Sequence, residues 1–357
     1  MNGVSIGELA VPASVDAPDA RDFIEMTRVR NRVGAEITGN YELAVRADEL
    51  LPGWLAQDFD EKRMLVARVD GRIVARAVAE LPRGTNLVWA AVEVLRRFRR
   101  RGIGGALYDR LEDIAVAAGR SVVQGFVMQG ASESVDRIVA PTGFGSVPRD
   151  DDASQFLLAR GFALEQVARL CRLELPADPG VLGRLVDRAT ADAGARYRLH
   201  FWAGRTPPEH LARVAELRGR LSVDAPQAGL EPDTSPWTAD RVRADDDVLQ
   251  SSPRIRLTAL AEHLPTRRAA GYTELHSPAE RTRAVVQGDT IVLHEHRGHR
   301  LGTLLKAANL MRLEAVRPGH PSVVSFTAEE NRHMLQLNDL LGFAPWGYQG
   351  AWKKSLI

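Results

Sequence analysis

The sequence predicts an α/β (α+β) protein built from two tandem copies of one unit. Three observations carry this. An apolar run over residues 87–95 leads into a basic, glycine-rich turn and then a helix-period pattern, so strand, turn and helix follow in order. The same order returns downstream. Val94, Arg99 and Gly104 have counterparts in Val292, Arg297 and Gly302, each 198 residues further on, as a duplicated segment requires. The length of 357 residues, 45% apolar and 26% charged, is enough for two ordinary cores.

Taken in order, residues 1–20 are small and polar and predict a flexible arm. Residues 21–51 have helical periodicity, broken near Gly34 and Gly39, and Pro52-Gly53 marks a turn. Two β-rich runs, 64–69 and 73–81, flank Asp70-Gly71, a hairpin signal. The central strand, the basic turn and a helix over 106–118 follow, with Leu107, Leu111, Ile114, Ala115 and Ala118 on one face. Residues 121–127 form the next strand. The stretch 129–152 predicts a solvated loop whose Asp150-Asp151-Asp152 supplies an N-cap rather than a metal site. A short helix to 160 is stopped by Gly161, and 163–175 reads as closing strands around a buried, inert Cys171. The linker is placed at 177–180, so the domains are expected at 21–176 and 181–357. In the second domain, 197–202 is a strand and 207–221 a helix. Residues 222–237 form a proline-rich loop that offers walls for an acceptor. A longer hairpin covers 255–262 and 268–276. The second central strand is 285–293, and a helix over 303–315 uses Leu304, Leu305, Ala308, Met311 and Leu313 as core. A strand at 322–326, a helix at 331–341 ended by Gly342, and a final strand near the C-terminus complete the chain.

A formal net charge of +1 excludes a globally basic nucleic-acid binder, although Arg96, Arg97, Arg99, Arg100 and Arg101 are clustered. One cysteine excludes a disulfide framework and a cysteine-based metal site. No apolar stretch nears a membrane span and no signal peptide opens the sequence, so a cytoplasmic protein is expected. Arginine greatly outnumbers lysine, as in high-GC bacterial genomes. His294, Glu295, His296 and His299 lie on a turn rather than at spaced helical positions, and no metal is expected there.

The glycine-rich turns carry the chemistry. Turn glycines let the backbone approach a ligand closely, and the free N–H groups of the first helical turn favour an anion. The first turn lacks the Gly-Lys-Ser/Thr of a Walker loop and the Gly-x-Gly-x-x-Gly of a dinucleotide fold. It reads Arg99-x-x-Gly102-x-Gly104, with Val94 inside the preceding strand. This pattern resembles the acetyl-CoA loop of the GNAT N-acyltransferase superfamily. The second copy departs at Arg300, which stands where the first has Gly102.

The resemblance implies two tandem GNAT-like domains, each a mixed, mostly antiparallel sheet flanked by helices, with acetyl-CoA as co-substrate. It implies that CoA meets Val94, Leu95, Arg99, Arg100, Arg101, Gly102, Ile103, Gly104, Gly105 and Ala106 in the first domain. In the second it implies Val292, Leu293, Arg297, Gly298, His299, Arg300, Leu301, Gly302 and Thr303, together with Asn331. The family's acid tyrosine, four residues before Gly-Phe, is replaced by Asn338 in the second domain and Leu157 in the first. Amine acylation needs a base, and the candidates are Glu274 and His294. The expected activity is acetyl transfer to a primary amine of a small molecule (antibiotic, amino sugar, amino-thiol or peptide) in the second domain. The expected protein is a monomer or homodimer with neither nucleic-acid nor membrane partners. The alternative is a non-catalytic, CoA-binding regulatory protein.

Overall fold

The computed structural model of the chain describes residues 3–224 (without the Ser222 side chain), 226–232 and 235–356. The first half runs β1 (Val4–Glu8), α1 (Arg21–Thr38), α2 (Ala47–Leu55), β2 (Asp60–Val69), β3 (Arg72–Pro82), β4 (Leu87–Val94), α3 (Ile103–Ala117) and β5 (Val122–Gly130). It continues with β6 (Arg137–Val139), β7 (Ser146–Pro148), α4 (Asp152–Ala159) and β8 (Ala163–Glu174). The second half begins with α5 (Pro179–Ala193), which has no counterpart in the first. It then repeats the order with β9 (Tyr197–Ala203), α6 (Leu211–Asp224), α7 (Ala239–Gln250), β10 (Ile255–His263), β11 (Arg268–Ser277) and β12 (Val285–Val292). The last elements are α8 (Leu301–Val316), β13 (Ser322–Ala328), α9 (Arg332–Leu340) and β14 (Ala344–Ser355).

The mixed sheet and the duplicated order agree with expectation. The assignment of strands to halves does not. A single 12-stranded sheet runs β1-β2-β3-β4-β5-β14-β8-β13-β12-β11-β10-β9. The C-terminal strand β14 lies against β5 of the first half, from Val122↔Ser355 to Gly130↔Gly347. In exchange β8 lies against β13 of the second half, from Ala168↔Ala328 to Glu174↔Ser322. Residues 163–175 therefore close the second half's sheet. Each closing strand satisfies its backbone groups on both edges, and periodicity alone cannot say which half supplies the partner.

Local corrections follow from hydrogen bonding. Part of the expected arm is β1, paired from Val4↔Val69 to Glu8↔Leu65. The proposed linker is the start of α5: Asp178 accepts hydrogen bonds from the Gly180 and Val181 amides, and Pro179 occupies a first-turn position. Residues 137–148 hold a small hairpin, β6–β7, inside the expected loop, while Asp151 caps α4 as the sequence suggests. On α8 the core falls on Leu304, Leu305, Ala307, Leu310 and Leu313; Met311 is exposed.

The helices pack on the sheet as the repeat requires. α1 and α3 both pack on β3 and β4 of the first half, α6 and α8 both pack on β11 of the second, and α2 meets α1 and α7. The connections α1–α2 and α6–α7 each reach across to the opposite half. Leu43 packs against Leu170, Ala284 and Val324, while the Ala284 amide donates to the Glu42 carbonyl at 2.9 Å. Reciprocally, the Gln124 side chain on β5 clasps both backbone groups of Glu231, at 2.5 and 3.2 Å, and the Gln166 amide donates to the Pro226 carbonyl. Residues 226–231 of the proline-rich loop thus lie on the first half's sheet, while Trp237 at its end packs on the second half's core beneath Arg218. The sequence between α6 and α7 carries no mark of this destination.

Candidate functional site

Both glycine-rich loops have one backbone shape. After β4 a 3-10 turn, Arg96–Phe98, leads to left-handed residues at Arg100 (φ 59°) and Gly102 (φ 79°). After β12 the turn His294–His296 leads to Gly298 (φ 83°) and Arg300 (φ 53°). The glycine sits at the second left-handed position in one loop and at the first in the other. Arg300 therefore does not break the second cradle; it adopts the same αL geometry, and its guanidinium is held away by Asp192 on α5 at 2.6 Å. The paired arginines also do the same job. Arg99 Nε donates to the Val94 carbonyl at 3.0 Å, and Arg297 Nε to the Val292 carbonyl at 3.3 Å, tying each loop to its strand.

Helices α3 and α8 start at Ile103 and Leu301, so the amides of their first turns have no intrahelical partner and face the loop mouth. At Gly104 and Gly302 a Cβ would make only ordinary contacts, with Val94 and Phe156 in one half and with Val292 and Leu337 in the other. The amides of Leu95 and Leu293, expected to face CoA, are engaged by the carbonyls of Val74 and Ala270 at 3.1 and 2.9 Å. Because strand N–H groups alternate sides, the amides of Val94 and Val292 are the ones that face the gap to the neighbouring parallel strand.

That gap is present twice. β4 and β5 pair only at Leu87–Trp89 with Val122–Gln124, and β12 and β13 only at Val285–Val286 with Val323–Val324; beyond these the strands part. The halves differ in how they part. β3 and β4 pair without interruption from Ala75↔Val94 to Glu80↔Trp89. On β12 the register jumps between Thr273↔Thr290 and Leu275↔Gln287, leaving Gly288 and Asp289 opposite Glu274 as a β-bulge. A bulge bends its strand and re-aims a side chain.

The re-aimed side chain is Asp289, which sequence reasoning missed because a lone aspartate in a strand carries no spacing signal. It is exposed to water, and its carboxylate lies against the Tyr272 hydroxyl. Burial, reinforced by the Glu274 carboxylate, raises its pKa above the ordinary aspartate value. The buried Tyr272 hydroxyl donates to Asp289 Oδ2 at 3.0 Å, and burial holds that phenol well above its usual pKa, so it remains a donor. The first half has Ala90 and Ala91 in this part of β4.

The expected bases fall differently. Glu274 is buried between two guanidinium groups, Arg218 Nη2 at 3.3 Å and Arg256 Nε at 3.4 Å. It serves as the counter-ion of two arginines that are also bound by Asp245 at 2.7 and 2.6 Å. His276, 3.9 Å from Glu274, has its pKa lowered by burial. His294 is exposed on its turn. His296 hydrogen-bonds the Tyr197 hydroxyl at 3.1 Å, and His263 and His299 also pack on that ring. Among the described residues no group of three or more His, Cys, Asp or Glu side chains is disposed to hold a metal. Asn331 caps α9 through the Met334 amide, and Asn338 bridges buried Lys306 (2.6 Å) and Thr327 (3.1 Å). Cys171 is buried, and burial pushes its thiol up to about 11. No described helix is long and apolar enough to cross a membrane.

Comparison with known proteins agrees with this geometry. Residues 36–129 match the model of the acetyltransferase (GNAT) family. Among solved structures, a tandem GNAT protein from the clavulanic acid biosynthesis pathway is similar at 24% identity and TM-score 0.74, over 99% of this chain and 98% of that one. A GCN5-related N-acetyltransferase from Sphaerobacter thermophilus is similar at 14% identity and TM-score 0.61, over 99% and 96%. A glucosamine N-acetyltransferase region of a fungal multi-domain β-N-acetylglucosaminidase is similar at 13% identity and TM-score 0.59, over 98% of this chain and 38% of that one. No curated protein matches the chain by sequence. The chain has the fold of tandem GNAT proteins, and its residues 36–129 match the acetyltransferase (GNAT) family.

Proposed function

We propose that the protein transfers an acetyl group from acetyl-CoA to a primary amine of a small molecule, and that the second half performs the chemistry. The observation that carries this is the bulge at Gly288–Asp289, which sets a water-accessible carboxylate of raised pKa beside the parted strands. The bound amine must lose a proton to attack the thioester carbonyl. Asp289 would take it, with Tyr272 holding the carboxylate in place. The free amides of α8 and of residues 298–301 would cradle the CoA pyrophosphate, and the Val292 amide faces the gap where the pantetheine would pair. As nitrogen bonds to the carbonyl carbon, the carbon–sulfur bond breaks and the thiolate takes a proton from solvent. Asn338 replaces the family's tyrosine and cannot donate a comparable proton.

The first half would bind CoA without transferring. Its loop has the family's glycine order, but β4 has no bulge and Glu93 is bound to Arg76. Amino-group chemistry on a sugar, named for the fungal relative, is one acceptor class among several; a cytoplasmic, monomeric or homodimeric protein belongs to the same reading. The test is thiol release from acetyl-CoA with an amine panel. Asp289→Asn should lower kcat on the order of 10²–10⁴-fold, whereas Glu93→Gln should leave turnover in place. The reverse outcome would move the chemistry to the first half.

A further inference from the structure

Given that Asp289 is the base of the acyl transfer, we infer that His276 is a second proton acceptor at the same site, taking from the acceptor nitrogen the proton that Asp289 no longer can. The need is stoichiometric. An ammonium loses one proton before it attacks, and that proton occupies Asp289. Once the nitrogen–carbon bond has formed, the nitrogen is cationic again and holds one proton more than the amide keeps. That proton must leave as the carbon–sulfur bond breaks. Two protons thus come off the nitrogen, one goes onto the thiolate from solvent, and one is released overall. A neutral imidazole beside the carboxylate meets this need.

The bulge brings the two groups together. His276 follows Glu274 by two residues on β11, so both side chains leave the same face of the strand, and Gly288 and Asp289 stand opposite Glu274. A Cβ built on Gly288 would lie 2.7 Å from His276 Nε2 and 3.4 Å from Glu274 Cβ, so the imidazole edge fills the space a side chain at 288 would take. Asp289 is the next residue, its Cα about 3.8 Å from that of Gly288. Gln287 Nε2 donates to the carbonyls of Glu274 (2.7 Å) and Gly288 (3.2 Å) and so pins the bulge. Among the described residues the His276 ring makes no hydrogen bond; its side chain is 31% exposed, and Glu274 Oε2 lies 3.9 Å from Nε2.

The charged groups that face the ring are Glu274 on its own strand, Arg256 across the register on β10, Arg254 just before β10, Asp245 on α7 and Asp289 on β12. Burial holds its pKa below the ordinary histidine value, against the pull of Glu274, so the ring is neutral and able to accept at pH 7. The imidazolium formed in the reaction lies beside the Glu274 carboxylate, which favours it, and its exposed edge returns the proton to water. In the first half Glu80-Leu81 repeats Glu274-Leu275, and Pro82 stands where His276 does.

The probe is glycinamide, with thiol release from acetyl-CoA measured on the full-length protein. His276→Ala should lower kcat/KM by about 10²-fold. Added imidazole should restore part of the loss, the rescued rate following its neutral fraction. Gly288→Ala, whose methyl takes the ring's place, should lower the rate similarly, and adding it to His276→Ala should cost little more. In the wild type the acid side of kcat/KM should hold two ionisations, one just below the ordinary histidine value, and His276→Ala should leave only that of Asp289. A single ionisation in the wild type, an unimpaired His276→Ala, or a loss that imidazole does not restore overturns the inference. Glycinamide that yields no thiol counts against both readings. Asp289→Asn separates them: full turnover there, with His276→Ala inactive and rescued by imidazole, would reject the assignment of Asp289 and leave His276 as the acceptor.

Discussion

At the scale of single residues, water-accessible Asp289 and buried Lys306 each make a prediction about pH. Asp289 has its pKa raised, so the base-competent carboxylate appears only as pH climbs through that raised value. The acid limb of kcat/KM should therefore lie above the ordinary aspartate range. Tyr272→Phe removes a hydrogen bond that favours the ionised form, so the limb should move up by roughly one pH unit; a downward shift would contradict the assignment. Lys306 is the second group. It lies one turn past Gly302, fully buried, with Asn338 as its hydrogen-bond partner, and burial lowers its pKa to about 7. The counterpart pair in the first half is Tyr108 and Leu157. Since the unfolded lysine titrates near 10.4, the folded state binds fewer protons between about pH 7 and 10. Stability from this group therefore rises with pH over that window, and the cost is complete below it. The double variant Lys306→Met/Asn338→Leu removes both polar groups. It should stabilise the fold by about 2–4 kcal/mol at pH 7, and the gain should fade towards pH 10 in denaturant titrations.

At the scale of elements, the two loops teach that a glycine pattern is a proxy for backbone shape. The second loop looks defective at Arg300, yet its φ of 53° reproduces the left-handed turn of Gly102, and Gly298 relieves the other left-handed site. Non-glycine residues adopt αL at a cost of about 1–2 kcal/mol, and each loop bears that cost once. The exchange Gly298→Arg with Arg300→Gly should therefore fold with a melting temperature within about 3 °C of the parent and retain CoA affinity. Gly298→Arg alone would place two non-glycine residues in αL and should lose about 1 kcal/mol. The central strands teach the converse. Leu87–Val94 is apolar but for Glu93, whereas Val285–Val292 is interrupted by Gln287-Gly288-Asp289-Thr290, and of the two only β12 bulges. A glycine inside a strand pattern is a bulge signal, so Gly288 marked the spot in the sequence, but the side chain that the bulge re-aims is decided only by the register.

At the scale of the whole molecule, the exchanged closing strands bind the halves into one sheet. β14 pairs with β5 and β8 with β13, so neither half holds all the strands of its own sheet. The buried Arg283–Glu49 pair and the reciprocal α1–α2 and α6–α7 connections add further contacts. Expressed alone, residues 1–176 would expose the edge of β5 that β14 covers and the edge of β8 that β13 covers, and exposed edges of this kind aggregate. The fragment should be insoluble or associated in size-exclusion chromatography. Co-expression with residues 177–357 should restore a soluble 1:1 complex. A monomeric, cooperatively folded fragment would show that each half closes its own sheet.

The sequence by itself determined the repeat, the two strand–loop–helix cradles, the Asp70-Gly71 hairpin, the Asp151 cap and the inert Cys171. Each is written in local spacing, and local spacing is what period, turn chemistry and capping obey. Tertiary structure alone decided which half each closing strand joins and where the connections before β2 and β10 lie. It also decided that Glu274 serves as counter-ion to two arginines while Asp289 opens to water. These depend on partners distant along the chain or on one residue's shift in register, and no local period or turn pattern contains that information.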